Sequence, residues 1–456
     1  MAASVTEALC ERMCAPGAES LDEGVREHLR RLVLDGIAVA VAGTVQERPP
    51  GIVAGLVREE AARARSTVIG FGFQTTPARA AYVNGVAMHV LDYEPMWLPA
   101  NHALSTTLPA VLALGEALEA SGEALALALV KGIEIQGCIR EASGQWEPGE
   151  LRFHPPGMVG PFSAAAAGAS LLGLGPGELA YALGIAASRA GSVLANAGTM
   201  TKSTHCGLAA GWGLEAALLA ARGFDANPRI FDDPRGYPAA FCERFAPDLL
   251  LAFGPPWRVV EPGYAIKMYP SQYGTHYAIT AGRTLHRTLA ERGALGHEAI
   301  RAARLVTPSM PYIDRPVPAN GLAGKFSWQY TFGCALLDGA VTMATFEDGR
   351  RFRPDIEALL PKIDLDMRPD WTGRFDAMHV EAEVTLADGS LHRGRCDAPP
   401  GSWNGPVLSA EAHAEKVEAC LRLALDDAVI AEVVELCGRF DSSSGAEVRR
   451  LLALVR

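Results

Sequence analysis

The chain lacks any apolar run near the roughly 18 residues that a membrane-spanning helix needs, so no bilayer span is expected. Its nine cysteines are spread from Cys10 to Cys437 without a C-x-x-C pair, which gives neither a disulfide framework nor a zinc or iron–sulfur ligand pattern. Histidines never recur at H-x-x-x-H spacing, and no bound metal is expected. A G-x-S-x-G elbow is missing and no cysteine stands in a Cys/His signature, so nucleophilic catalysis has little support. Basic clusters are scarce as well. Lys and Arg number 41 against 52 Asp and Glu, a net charge of −11, which argues against nucleic acid as a partner because counterion release needs clustered cations. The opening stretch MAASVTEALCERMC sets Glu7, Glu11 and Arg12 inside what would be the apolar part of a signal peptide and offers no basic leader; a cytoplasmic location is the expectation.

What is present is a balanced composition, 49% hydrophobic and 20% charged, over 456 residues. One core rarely grows past about 250 to 300 residues, so a large domain and a smaller one are expected. Ser20-Leu-Asp-Glu23 reads as a capping box, after which Val25, Leu29, Leu32, Val33, Ile37 and Val41 recur at helical spacing to Gly43. A second helix is expected over 51–65, followed by a short extended piece at 68–74. Its lone G-x-G has no strand-to-helix context and does not make a nucleotide loop. Further helices are expected from Pro77 to Leu91 and over 106–120, 123–139, 164–174, 178–187 and 208–222. After Pro255 the pattern changes: a helix at 276–291, a strand at 300–306, a long helix at 326–346, and a hairpin of 377–387 and 391–396 turning at Asp388-Gly389. Closing helices are expected at 409–424 and 427–437. The expected fold is mainly α. A large all-α helical domain spans 1–264 and is completed by C-terminal helices in 405–456, with a smaller α/β lid domain at 265–404.

Polar residues stand out against this background. Gly198-Thr-Met-Thr-Lys202-Ser-Thr-His205-Cys-Gly207 is an island between runs of Ala, Leu, Gly and Ile, where an unpaired buried charge would cost several kcal/mol by order of magnitude. His102 shares a loop with Asp92, and His154 lies between Phe153 and Pro155. Singly, each has an ordinary structural reading: a surface histidine, a helix-end Lys202, a linker charge for Lys267. Their recurrence at the ends of small-residue helices is what a site needs. Asp92 and Glu94 as paired glycosidase acids are disfavoured, because neighbouring loop acids more often solvate or cap.

Six motifs then resemble the MmgE/PrpD family, which includes 2-methylcitrate dehydratase, aconitate decarboxylases and iminodisuccinate epimerase. They are Val83-Asn-Gly-Val-Ala-Met-His-Val-Leu-Asp92, His102, Phe153-His-Pro-Pro-Gly157, Gly198-Thr-Met-Thr-Lys202 with His205, Lys267-Met-Tyr-Pro270 with Thr275-His276, and Lys325-Phe-Ser-Trp-Gln-Tyr330. The resemblance implies a homodimer with a cofactor-free site between the domains for a small di- or tricarboxylate. It carries the catalytic positions onto Asp92, His102, His154 and Lys202, and substrate contacts onto Lys267, Tyr312, His276 and Gln272. Two departures stand out. Many relatives carry Asp-Phe-Asp-Asp-Thr followed by a His-Pro pair, where this chain has Asp92-Tyr-Glu-Pro-Met96-Trp-Leu-Pro99; and aconitate decarboxylases place a histidine near Gln272. The reaction implied is loss of water from a hydroxylated polycarboxylate. Lys202 and Lys267 pair with its carboxylates, His102 and His154 exchange protons, and Asp92 orients an imidazole. Epimerisation or isomerisation, decarboxylation, and non-catalytic carboxylate binding are the alternatives.

Overall fold

Apolar residues three and four apart build most of the chain, in a computed structural model that describes residues 4–456. The first three residues of the expected helical unit lie outside the described residues. Helix α1 (Val5–Cys14) is followed by the long α2 (Glu23–Gln46) and by α3 (Arg48–Glu59). The cap of α2 differs from expectation. Asp22, rather than Ser20, accepts a hydrogen bond from the Val25 N–H at 2.9 Å, because Ser20 is held in a short 3-10 turn. The extended piece at 68–74 is a small antiparallel hairpin of β1 (Ser66–Val68) and β2 (Phe73–Thr75), with Gly70 and Gly72 at positive φ in the turn.

Six helices follow: α4 (Pro77–His89), α5 (Ala103–Leu118), α6 (Gly122–Ser143), α7 (Pro155–Leu172), α8 (Pro176–Ala187) and α9 (Thr201–Ala220). Residues 201–207 of the polar island are therefore the first two turns of α9, and Gly198 to Met200 lead into it. Its lysine and histidine are tolerated in a buried helix because both find partners there. Small residues set the spacing of these helices. A Cβ on Gly85 of α4 would stand 2.8 Å from the Gly207 Cα of α9, so the two backbones cross in contact and bring His89 beside Lys202.

Beyond residue 270 come α10 (Thr275–Ala290), β3 (Ile300–Pro308), α11 (Trp328–Asp338), β4 (Ile363–Arg368), β5 (Val380–Leu386) and β6 (Leu391–Cys396). The sheet order is β4-β3-β5-β6, with β4 parallel to β3 and the other pairs antiparallel. The expected hairpin is β5–β6. Helix α11 stops far short of 346, because Gly339 adopts φ +70 and closes its end. Strand β4 was not expected: Asp364 and Asp366 alternate with its apolar residues on the exposed edge of the sheet. Helices α12 (Ala410–Leu421), α13 (Asp427–Gly438) and α14 (Gly445–Leu454) end the chain, and the first two pack on α2.

The fold is mainly α with small sheets. One core joins α1, α2, α4 to α9 and α12 to α14. Another fills the space between the four-stranded sheet, α10 and α11, and extends to Met96, Leu98, Ala100, Leu194 and Ala197.

Candidate functional site

Where these cores meet, the end of α4, the loop 90–102 and the N-terminal ends of α5, α7 and α9 converge. His102 and His154 directly precede α5 and α7, and Lys202 is the second residue of α9. Three helix N-termini, each the positive end of a helix dipole, favour an anion, although α7 opens on Pro155 and Pro156 and offers no N–H there. A pocket of about 450 Å³ opens there. Met96, Asn101, His102, Leu151, His154, Leu194, Lys202, Gln272, Tyr312 and Phe375 are among its lining residues.

Asp92 is the hub. It sits in the left-handed region at φ +51, a conformation that aspartate tolerates better than most residues, and is almost fully buried. Its Oδ2 accepts from Lys202 Nζ at 2.8 Å and its Oδ1 from Lys267 Nζ. Burial alone would raise its pKa, but the two ammonium groups hold the carboxyl well below the usual range. Lys267 is completely buried, and burial lowers its pKa in spite of Asp92.

Glu94, fully buried, is the second hub. Its Oε1 accepts from His89 Nδ1 and from Ser105 Oγ at 2.9 Å, and lies 3.1 Å from His102 Nδ1, out of line for a good hydrogen bond. The other ring nitrogen of His89 accepts from Lys202 Nζ at 2.7 Å. Burial and Lys202 hold His89 neutral, with a pKa lowered to about 4, while His89 and His102 hold Glu94 well below the usual carboxylate range against the effect of burial. His154 Nδ1 lies 3.2 Å from His205 Nδ1. Burial, then Lys202 and the surrounding imidazoles, push His154 well below its ordinary value; burial and Lys202 lower His205 to about 4.

The sequence-derived residues therefore divide. His102, His154, Lys202, Gln272 and Tyr312 line the pocket, and Gln272 Nε2 donates to the Tyr312 hydroxyl at 2.7 Å. Burial, followed by the charge of Asp92, raises the Tyr312 hydroxyl pKa. Asp92 and Lys267 stand behind Lys202, so Lys267 meets Asp92 and not the open pocket. His276 also lies behind the wall, stacked on Tyr273 at 5.0 Å with both ring nitrogens unpartnered. The carboxylate nearest the imidazoles is Glu94; Asp92 comes no closer than 3.7 Å to His102. Sequence reasoning gave no part to His89 and disfavoured Glu94. Their signals are the place of His89 inside the motif Val83 to Asp92 and the run of three ionisable residues, 89, 92 and 94, within six positions.

Nitrogens of His89, His102 and His154 lie within 4.8 Å of one another, close enough to suggest a metal centre. The donor set does not fit one. Both nitrogens of His89 are engaged, by Lys202 and by Glu94, and the Lys202 ammonium, 2.7 Å from Nε2, would repel a bound cation.

Comparison with known proteins agrees in extent with this architecture. The family model for the MmgE/PrpD N-terminal domain matches residues 7–250, and that for the MmgE/PrpD C-terminal domain matches residues 269–438. The chain is 34% identical over 426 residues to the cis-aconitate decarboxylase of Homo sapiens, covering 92% of this chain and 88% of that protein. To the 2-methylcitrate dehydratase of Escherichia coli K12 it is 27% identical over 339 residues, covering 68% and 66%. The chain belongs to the MmgE/PrpD family.

Proposed function

We propose that this chain is a lyase that removes water from a small hydroxylated di- or tricarboxylate by histidine acid–base chemistry, without a cofactor. The observation that carries this is the presence of two imidazoles, His102 and His154, on one pocket with Lys202, their ring centroids 6.0 Å apart. Elimination needs both a base and an acid, and two imidazoles on one pocket can divide these roles. His154, kept neutral, takes the proton from carbon. The C–H electron pair becomes the new double bond, and the hydroxyl leaves as water with a proton carried by His102, which has a carboxylate near each ring nitrogen. Lys202 stabilises negative charge developing beside the carbanionic centre, helped by the three helix N-termini. Lys267 acts on Asp92. The same reading takes 265–404 as a lid over 1–264 and 405–456, and the protein as a cytoplasmic homodimer.

Decarboxylation is the second reading. It is favoured by the 34% identity to a cis-aconitate decarboxylase over most of both chains. Met96 and Gln272 in the pocket weigh against it, since aconitate decarboxylases place a histidine near Gln272 and many relatives a threonine at Met96. A thermal-shift screen of about thirty di- and tricarboxylates identifies the ligand, because saturation at 100 times Kd adds about 2.7 kcal/mol. Proton NMR in D₂O then separates the chemistries: an alkene product with no carbon lost supports dehydration, carbon dioxide release supports decarboxylation, and α-proton exchange alone supports epimerisation. Absence of any shift or turnover across the panel would refute the lyase reading.

A further inference from the structure

Glu94, His89 and Ser105 are buried, and none of them lines the pocket, yet they form one hydrogen-bonded chain behind it. The chain has a fixed polarity. An ammonium has no lone pair, so where Lys202 Nζ meets His89 Nε2 at 2.7 Å the lysine is the donor and that nitrogen carries no proton. The His89 proton is therefore on Nδ1, where it is donated to Glu94 Oε1. Glu94 also accepts from Ser105 Oγ at 2.9 Å. A carboxylate is acceptor-only, so the remaining neighbour of that oxygen, His102 Nδ1, at 3.1 Å though off the line of a good hydrogen bond, is favoured as an N–H by the negative charge it faces.

We infer that Glu94 is a positioning residue: it fixes the neutral form of His102 as the Nδ1–H tautomer and leaves Nε2 as the atom that exchanges a proton with the substrate. Among the described residues Glu94 Oε2 is buried without a partner, so Oε1 makes the hydrogen bonds of this carboxylate. The groups facing His102 are Glu94 and Asp92 from the loop, His89 from α4, His154 from the residue before α7 and Lys202 from α9. Of the two carboxylates, Glu94 faces Nδ1, at 3.1 Å, and Asp92 faces Nε2, at 3.7 Å. A proton on Nε2 makes an imidazolium with Glu94 at one nitrogen and Asp92, 3.7 Å away, at the other. Its release to the leaving group restores the neutral Nδ1–H ring.

The inference rests on the lyase reading only for the word substrate, and its test does not need turnover. Nitrogen NMR of the ligand-free, ¹⁵N-histidine-labelled protein, with His102 assigned by loss of its signals in His102→Gln, reads the tautomer directly. The expected result is the Nδ1–H form in the wild type, a change to the Nε2–H form in Glu94→Gln, and a mixture in Glu94→Asp, whose shorter side chain withdraws the acceptor. With the stabilising carboxylate as substrate, Glu94→Gln is expected to lower kcat about 10-fold or more, within the range of acid–base contributions, while KM changes less than about threefold. A wild-type His102 in the Nε2–H form, or a Glu94→Gln spectrum unchanged from it, would overturn the inference whatever the turnover. If the tautomer changes as expected but no carboxylate reacts, the lyase reading falls and the positioning role stands. Should Glu94→Gln fail to fold, the wild-type and Glu94→Asp spectra decide the question.

Discussion

Two buried aspartates in this molecule look alike in burial and in their cationic partners, and only one of them, Asp92, holds a lysine that lines the pocket. Asp35, on α2, accepts from Lys416 Nζ at 2.7 Å and His413 Nε2 at 3.0 Å, both on α12. Asp92 accepts from Lys202 and Lys267. Burial works against ionisation at both, and at both the cationic partners win and lower the pKa. What differs is the far side of the cation. Lys202 reaches the pocket lining, whereas Lys416 spends its second contact on the Tyr93 carbonyl at 3.0 Å, bracing the loop between Asp92 and Glu94. A perturbed buried acid is thus evidence of constraint, and it becomes evidence of chemistry only where a cavity meets the network.

The comparison breaks most visibly on removal of a proton-transfer group. His154→Ala is expected to lower kcat/KM by 10² to 10⁴-fold, with a thermal midpoint near that of the wild type. Asp35→Asn is expected to behave in the opposite manner. It leaves Lys416 and His413 facing an uncharged amide, a change that costs about 3 to 5 kcal/mol in denaturant unfolding, while turnover per folded molecule stays within about threefold. If Asp35→Asn abolished turnover without loss of stability, the distinction between the two aspartates would fail.

Acid gives a smaller, graded effect. His89 and His205 have folded pKa values lowered to about 4, so below about 6.5 the unfolded chain binds protons that the folded chain refuses. Stability is complete above about 6.5 and declines as pH falls toward 4, by up to about 1.4 kcal/mol per pH unit for each of the two histidines. The depressed Asp35 and Asp92 add a second loss below about pH 3.9. Urea midpoints measured from pH 7.5 to 4.5 check the first window. At the small end, Arg304→Ala removes a half-exposed pair with Asp366 on the sheet and is expected to change stability by less than about 1 kcal/mol.

Local signals were legible in the chain, and pairings were not. Helical periodicity and small-residue runs placed α2, α4 to α6 and α10, and period-two alternation placed β5 and β6. The motifs led to His102, His154, Lys202, Gln272 and Tyr312, which do share one pocket. The partners of Asp92 lie 110 and 175 residues away, and spacing says nothing about contacts at that range. For the same reason the resemblance points Lys267 at substrate without revealing its contact with Asp92, and the loop position of Glu94 suggests solvation or capping without revealing its two imidazole neighbours and its serine. Strand β4 escaped because an edge strand with Asp at alternate positions carries little hydrophobic signal.

The most direct test of the central claim is proton NMR in D₂O of the wild type and His102→Ala with the carboxylate that most stabilises the protein. The account predicts an alkene product from the wild type and at least about a 100-fold slower reaction from the variant at an unchanged thermal midpoint. Turnover by His102→Ala within about twofold of the wild type would contradict it.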